Sequence, residues 1–153
     1  MLRLNRMTDY AVVVLGQLSR APGEIRTSVQ LAEETAIPVP TVSKLLRMLA
    51  GTELVTSHRG PSGGFSLDRS AHEIHVAEII EALDGPIALT ACVEGAPDRC
   101  SVESLCPMRG NWTRVNNAIR QALEGVTLED LLDPAQLFPI PEHETTARPA
   151  PSA

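Results

Sequence analysis

The first third of the chain repeats apolar residues at helical spacing. Thr8 followed by Asp9 reads as a helix start, and Ala11, Val14, Leu15 and Leu18 recur behind it on one face. Ala21-Pro22-Gly23 ends that helix. Thr27-x-x-Gln30 has capping-box form, so a second helix is predicted from Thr27 or Ser28, with Val29, Leu31 and Ala32 as apolar positions. Ala36-Ile37-Pro38-Val39-Pro40 must turn, because two prolines forbid a continuous helix. A third helix is predicted from Pro40, since proline is tolerated in a first turn. Its stripe is Val42, Leu45, Leu46 and Leu49, and Gly51 is a natural stop.

The pattern then shortens. Two strands are predicted at Leu54–Ser57 and Phe65–Leu67, with the turn-rich His58-Arg59-Gly60-Pro61-Ser62-Gly63-Gly64 between them. A fourth helix is predicted over Val76–Leu83, with Val76, Ile79, Ile80 and Leu83 inward, ending at Asp84-Gly85-Pro86. Residues 87–106 carry no period. A longer helix is predicted from Pro107 to Glu124, about 27 Å at the helical rise. Met108, Trp112, Val115, Ile119 and Ala122 give it a near-heptad seam. Thr127-x-x-Asp130 resembles a cap before a short helix ending at Leu132. Residues 134–153 contain five prolines and are predicted to be disordered. The fold class is therefore mainly α: a winged helix-turn-helix followed by a long C-terminal helix, a dimerisation helix on the resemblance given below. The predicted division is a DNA-binding domain over 1–85, a cysteine loop over 86–106, helices over 107–133 and a tail over 134–153.

Composition narrows the function. With 153 residues and 43% apolar content the chain can build one real core. Aromatics are 3%, too few for a stacking platform on single-stranded nucleic acid. The longest strictly apolar run, Ala11–Leu15, is far short of the roughly 20 residues that span a bilayer. The charged N-terminus has no apolar stretch behind it, so no signal peptide is read and a cytoplasmic location is expected. Net charge is −6, yet residues 1–70 hold eight basic and six acidic side chains, and the excess of acid lies beyond them. Local field rather than total charge steers a polyanion.

The chemistry gathers in two places. On the third helix the inward stripe leaves Thr41, Ser43, Lys44 and Arg47 on the other faces, with short donors for base edges and cations for phosphate. Ser28, at the head of the second helix, joins them as a candidate. In the wing, Arg59 and Gly60 are candidates because arginine suits the strong negative potential of a narrow minor groove. A solvated helix face is the plain alternative. Helix and wing together favour double-stranded DNA. The second place is Cys92, Cys100 and Cys106, spaced C-x7-C-x5-C in one irregular segment. An odd count without a CxxC pair argues against a disulfide framework or zinc ribbon. Cys106 is expected at the N-terminal end of the long helix, where the dipole favours thiolate. Three thiolates on one flexible loop suit an iron–sulfur cluster that takes a fourth ligand from elsewhere. His58 is expected to contact phosphate or solvent, while His72 and His75 flank the fourth helix. No small-molecule substrate site and no enzymatic constellation are read.

Several strings occur together in order: Arg3-Leu4-Asn5-Arg6-Met7-Thr8-Asp9-Tyr10-Ala11-Val12, Arg59-Gly60-Pro61-Ser62-Gly63-Gly64-Phe65, Val76-Ala77-Glu78-Ile79-Ile80, and the three cysteines. Over residues 1–132 the chain resembles the dimeric winged-helix regulators that include IscR, NsrR and RirA. Glu81–Thr90 and Cys106-Pro107-Met108-Arg109-Gly110-Asn111-Trp112 are similar to the branch that regulates SUF-type iron–sulfur assembly. The resemblance implies a homodimer whose C-terminal helices cross, and a cluster held by Cys92, Cys100 and Cys106. IscR-like members place a histidine three residues after the last cysteine, where this chain has Arg109. NsrR-like members use an aspartate from the partner's first helix, and the matching residue is Asp9. The resemblance therefore favours a four-iron cluster completed by Asp9 of the partner subunit, over a two-iron form. A cluster-free thiol or zinc regulator on the same DNA-binding part is the first alternative. A redox enzyme working through Cys106 is the second, with no cofactor loop or neighbouring histidine to support it.

Overall fold

The computed structural model describes residues 4–98, 100–101, 105–108 and 110–133. The predicted tail over 134–153 and Arg109 lie outside the described residues. Among the described residues, six α-helices and a two-stranded sheet follow in order: α1 Arg6–Ser19, α2 Ser28–Thr35, α3 Val39–Gly51, β1 Thr56–His58, β2 Gly64–Ser66, α4 Val76–Asp84, α5 Asn111–Glu124 and α6 Leu128–Leu132. A 3-10 turn at Ala71–Glu73, unmarked by the sequence pattern, precedes α4. The protein is mainly helical with a small antiparallel sheet.

Local chemistry accounts for most boundaries. α1 starts two residues before Thr8, because the Asn5 side chain accepts from the Met7 amide at 3.0 Å and so caps the helix. α2 carries the predicted reciprocal cap: the Thr27 hydroxyl accepts from the Gln30 amide, and the Gln30 side chain accepts from the Thr27 amide. It stops at Ala36, which adopts a left-handed conformation with φ 57°. α3 begins at Val39 with Pro40 in its first turn. Val42, Leu45, Leu46 and Leu49 are all fully buried. Burial of side chains of this size stabilises by about 1.5–3 kcal/mol each. Gly51 is the last helical residue, but the left-handed residue that reverses the chain is Glu53, at φ 63°.

The core joins α1, α2, α3 and α4, with Leu54, Val55 and Leu67 from the wing side. Leu128 of α6 is fully buried in the same core. The Leu128 amide donates to Ile74 O at 2.8 Å, and the Val76 amide to Val126 O at 2.9 Å. Leu54 and Val55 therefore pack rather than pair, and β1 starts two residues later than predicted.

α5 also starts later than predicted, at Asn111 instead of Pro107, because Gly110 takes a left-handed conformation at φ 78°. Its 14 residues make a helix of about 21 Å at the helical rise. Met108 thus lies outside the helix, and Cys106 lies well before its N-terminus, beyond the reach of a dipole confined to the first turn. Trp112 and Val115 of the predicted seam are exposed.

Candidate nucleic-acid interface and cysteine segment

α2, the turn at Ala36–Pro38 and α3 form a helix-turn-helix. The core stripe of α3 turns Lys44 and Arg47 outward, where both are exposed, and leaves Thr41 and Ser43 half-buried. Ser28 is the first residue of α2 and half-buried. β1 and β2 pair in the register Thr56↔Ser66, Ser57↔Phe65 and His58↔Gly64. Arg26 adds a single bridge to Phe65, so the wing is seated on the chain that leads into α2. Its tip is a turn in which the Gly63 amide donates to Gly60 O at 3.0 Å. Arg59 and Gly60 are exposed there.

The wing glycines serve different ends. A Cβ on Gly63 would lie 2.5 Å from His58 O, and one on Gly64 would lie 2.6 Å from Arg26 O. Their closeness is thus to the protein's own backbone, not to an outside surface. Gly60, at φ 102°, faces open space. His58 is also not free. Its Nε2 lies 2.8 Å from Ser66 Oγ, and Ser66 Oγ donates to Asp68 Oδ1 at 2.9 Å. Thr56 Oγ1 donates to Asp68 Oδ2. The hydroxyls of Thr56 and Ser66, with His58 adding a smaller electrostatic contribution, hold the Asp68 carboxyl below its ordinary value. This array crosses the wing and orders it. The sequence marks it only as polar residues alternating on short strands.

The cations divide into two sets. Arg26 pairs with Glu34 and Glu24, Arg69 with Glu78, and Arg120 with Glu81 and Glu124. Among the described residues, Lys44, Arg47 and Arg59 have no carboxylate partner, and neither do Arg6, Arg20 and Arg114. α3 and the wing therefore present positive charge without a carboxylate partner among the described residues, on a chain of net charge −6.

Cys92, Cys100 and Cys106 are free and half-buried, and lie between α4 and α5. The Cys92 sulfur lies 3.1 Å from Thr90 Oγ1. Asp9 is exposed in the first turn of α1. Among the described residues, no three histidine, cysteine or acidic side chains come together to hold a metal ion. The donor set, three unpaired thiols and a free carboxylate, fits an iron–sulfur cluster in chemistry. It is not gathered in this chain alone.

Two anchors escaped the sequence reading. Asp84, at the end of α4, accepts from Asn5 Nδ2 at 3.1 Å and from Thr8 Oγ1 at 2.9 Å, which fixes the start of the cysteine stretch to the start of α1. Asn116 of α5 binds the backbone at Ile87 and Leu89.

A helix-turn-helix with an ordered two-stranded wing defines the class: a winged-helix regulator. The family described as Rrf2, iron-dependent transcriptional regulator, matches residues 4–134, and the chain belongs to that family. It is 29% identical over 132 residues to the HTH-type transcriptional regulator NsrR of Oceanobacillus iheyensis, covering 86% of this chain and 90% of that protein. The structure of CymR, the global cysteine regulator of B. subtilis, is similar at a TM-score of 0.63 and 26% identity, covering 86% of this chain and 96% of that one. T. potens IscR is similar at 0.59 and 26%, covering 86% of each chain. These relatives are transcription regulators, which are not enzymes. Among the described residues, no helix is long and apolar enough to cross a membrane.

Proposed function

We propose that the chain is a dimeric transcription regulator that reports iron–sulfur status and controls genes of SUF-type cluster assembly. The observation that carries the reading is three free thiols between α4 and α5, on a stretch bound at its start to both α1 and α5. The family's iron-dependent description and the similarity to NsrR and IscR support it. Cys92, Cys100 and Cys106 would hold the cluster, with Asp9 of the partner subunit as fourth ligand to a four-iron form. Such a group supplies iron–thiolate bonds whose survival depends on iron and oxidant.

The chain's own residues do the rest. Lys44, Arg47 and Arg59 bind phosphate, and Thr41, Ser43 and Ser28 offer hydroxyls at the groove. Gly60 lets the wing tip approach the duplex backbone. Rearrangement of the cysteine stretch pulls on α1 through Asp84 and on α5 through Asn116. In a dimer this changes the separation of the two reading helices, which half-sites one turn apart require at about 34 Å.

A second reading is a cluster-free thiol or zinc regulator. It is favoured by the ungathered thiols and by the similarity to CymR. Anaerobic purification separates the two. Stoichiometric iron and sulfide with broad visible absorption, lost together with a change in operator binding, support the cluster. Colourless protein after anaerobic reconstitution, or stoichiometric zinc alone, refutes it.

A further inference from the structure

Asn116 is the one buried residue of α5 among those described, 3% exposed, on a helix whose Trp112 and Val115 face solvent and whose Ile119 and Leu123 are half-buried. A buried primary amide is costly unless both its ends are bonded. Here both are. Nδ2 donates to Ile87 O at 3.0 Å, and Oδ1 accepts from the Leu89 amide at 2.9 Å. The orientation is forced, since a flipped amide would set N–H against N–H and oxygen against oxygen. Ile87 and Leu89 are two apart, so the side chain meets the backbone of this stretch as a neighbouring strand would. One residue on is Thr90, whose hydroxyl lies against the Cys92 sulfur. Val93 closes a turn there, its amide donating to Thr90 O at 3.4 Å.

We propose that Asn116 is a positioning residue for Cys92. It clamps residues 87–89 to α5 and so sets Thr90 against the Cys92 thiol, while Cys100 and Cys106 lie beyond the clamp. This rests on the reading that Cys92 is a sensor thiol. It makes α5 a participant in sensing rather than a passive connector. It also explains a polar residue at a helix position that packing alone would fill with an aliphatic one.

The test uses the full-length, iron-free, reduced protein. Alkylation by iodoacetamide is followed at each cysteine by mass spectrometry in the unaltered protein and in Asn116→Ala. The clamp predicts that Cys92 reacts faster in the variant by roughly tenfold, the scale set by two lost hydrogen bonds to one side chain, with Cys100 and Cys106 little changed. An unchanged Cys92 rate overturns the proposal. So does a parallel rise at all three thiols, which reports general loosening. Hydrogen exchange at the Leu89 amide of the unaltered protein checks the same clamp without a variant: protection supports it, and exchange at the rate of an open peptide overturns it. Iron and sulfide are measured separately on reconstituted unaltered protein. Their absence there would remove the cluster reading while leaving the alkylation result to decide the clamp.

Discussion

Removing Lys44 and Arg59 one at a time tests the DNA face in its most physical form. Neither side chain has an ion-pair partner among the described residues, and both are exposed. Alanine at either position therefore removes no internal interaction, and stability should change by less than about 0.5 kcal/mol. The effect falls on counterion release. Each phosphate contact contributes about 0.9 to the slope of log affinity against log salt, so the proposed dimer, losing one cation per protomer, should lose about 1.8 from that slope. Between 50 and 200 mM salt, the affinity ratio of unaltered to variant protein should shrink by about twelvefold. The assay is fluorescence anisotropy on a duplex selected from a random library by the unaltered protein, read across that salt range. Arg120→Ala is the control. Its guanidinium is engaged by Glu81 and Glu124, which hold it above its ordinary value, so its slope should match the unaltered protein. Equal slopes for Lys44→Ala, Arg59→Ala and Arg120→Ala would refute the assignment of helix and wing to phosphate.

Other outcomes follow from single contacts. Ser66→Ala removes the hydroxyl that joins His58 to Asp68, and should lower stability by about 1 kcal/mol and weaken duplex binding through a looser wing; an unchanged affinity with a lowered Tm would limit the array to folding. Ala36→Gly relieves a left-handed alanine at an exposed site and should raise stability by roughly 0.5 kcal/mol in a urea titration, whereas a loss would show that the turn is not strained. The Arg69 guanidinium, with help from the His75 amide, lowers the Glu78 carboxyl from its ordinary 4.5. A lowered folded value means the contribution is complete above 4.5 and is lost as pH falls through the folded value. The gap in Tm between the unaltered protein and Glu78→Gln should therefore be constant near neutrality and close on acidification below that value; a pH-independent gap would show that the pair contributes no ionic stabilisation.

Much of the winged-helix unit was legible because its determinants are local. Four buried positions of α3 stand at helical spacing, the Thr27–Gln30 cap is written in adjacent residues, and Gly85 ends α4 where a left-handed residue is needed. The errors share a different cause. Apolar spacing runs unbroken from Met108 into Trp112, so periodicity alone carried the fifth helix through Gly110, where backbone conformation breaks it. Leu54 and Val55 have strand composition but are claimed by the core. Asn116 and Asp84 act on partners 27 to 79 residues away, and for Asn116 those partners are backbone groups that no residue type announces. His58 looked exposed because its partner, Ser66, belongs to the facing strand.

The contrast between an ordered winged-helix unit and an ungathered donor set has a thermodynamic consequence for the proposed function. Three thiols that do not converge in the free chain must be drawn together by ligation, so part of the ligation free energy is spent on rearranging the stretch that Asp84 and Asn116 anchor. If that rearrangement alters the reading helices, loading changes operator affinity by some factor. Linkage then requires operator DNA to change the affinity for the cluster by the same factor and in the same direction. Asp84→Ala removes the acceptor of both Thr8 and Asn5 and should reduce the two effects together. The measurement is operator affinity with and without cluster, set beside cluster loss to a chelator with and without operator, each for unaltered protein and Asp84→Ala. Coupling that persists undiminished in the variant would show that the signal does not pass through the junction of α4 with α1.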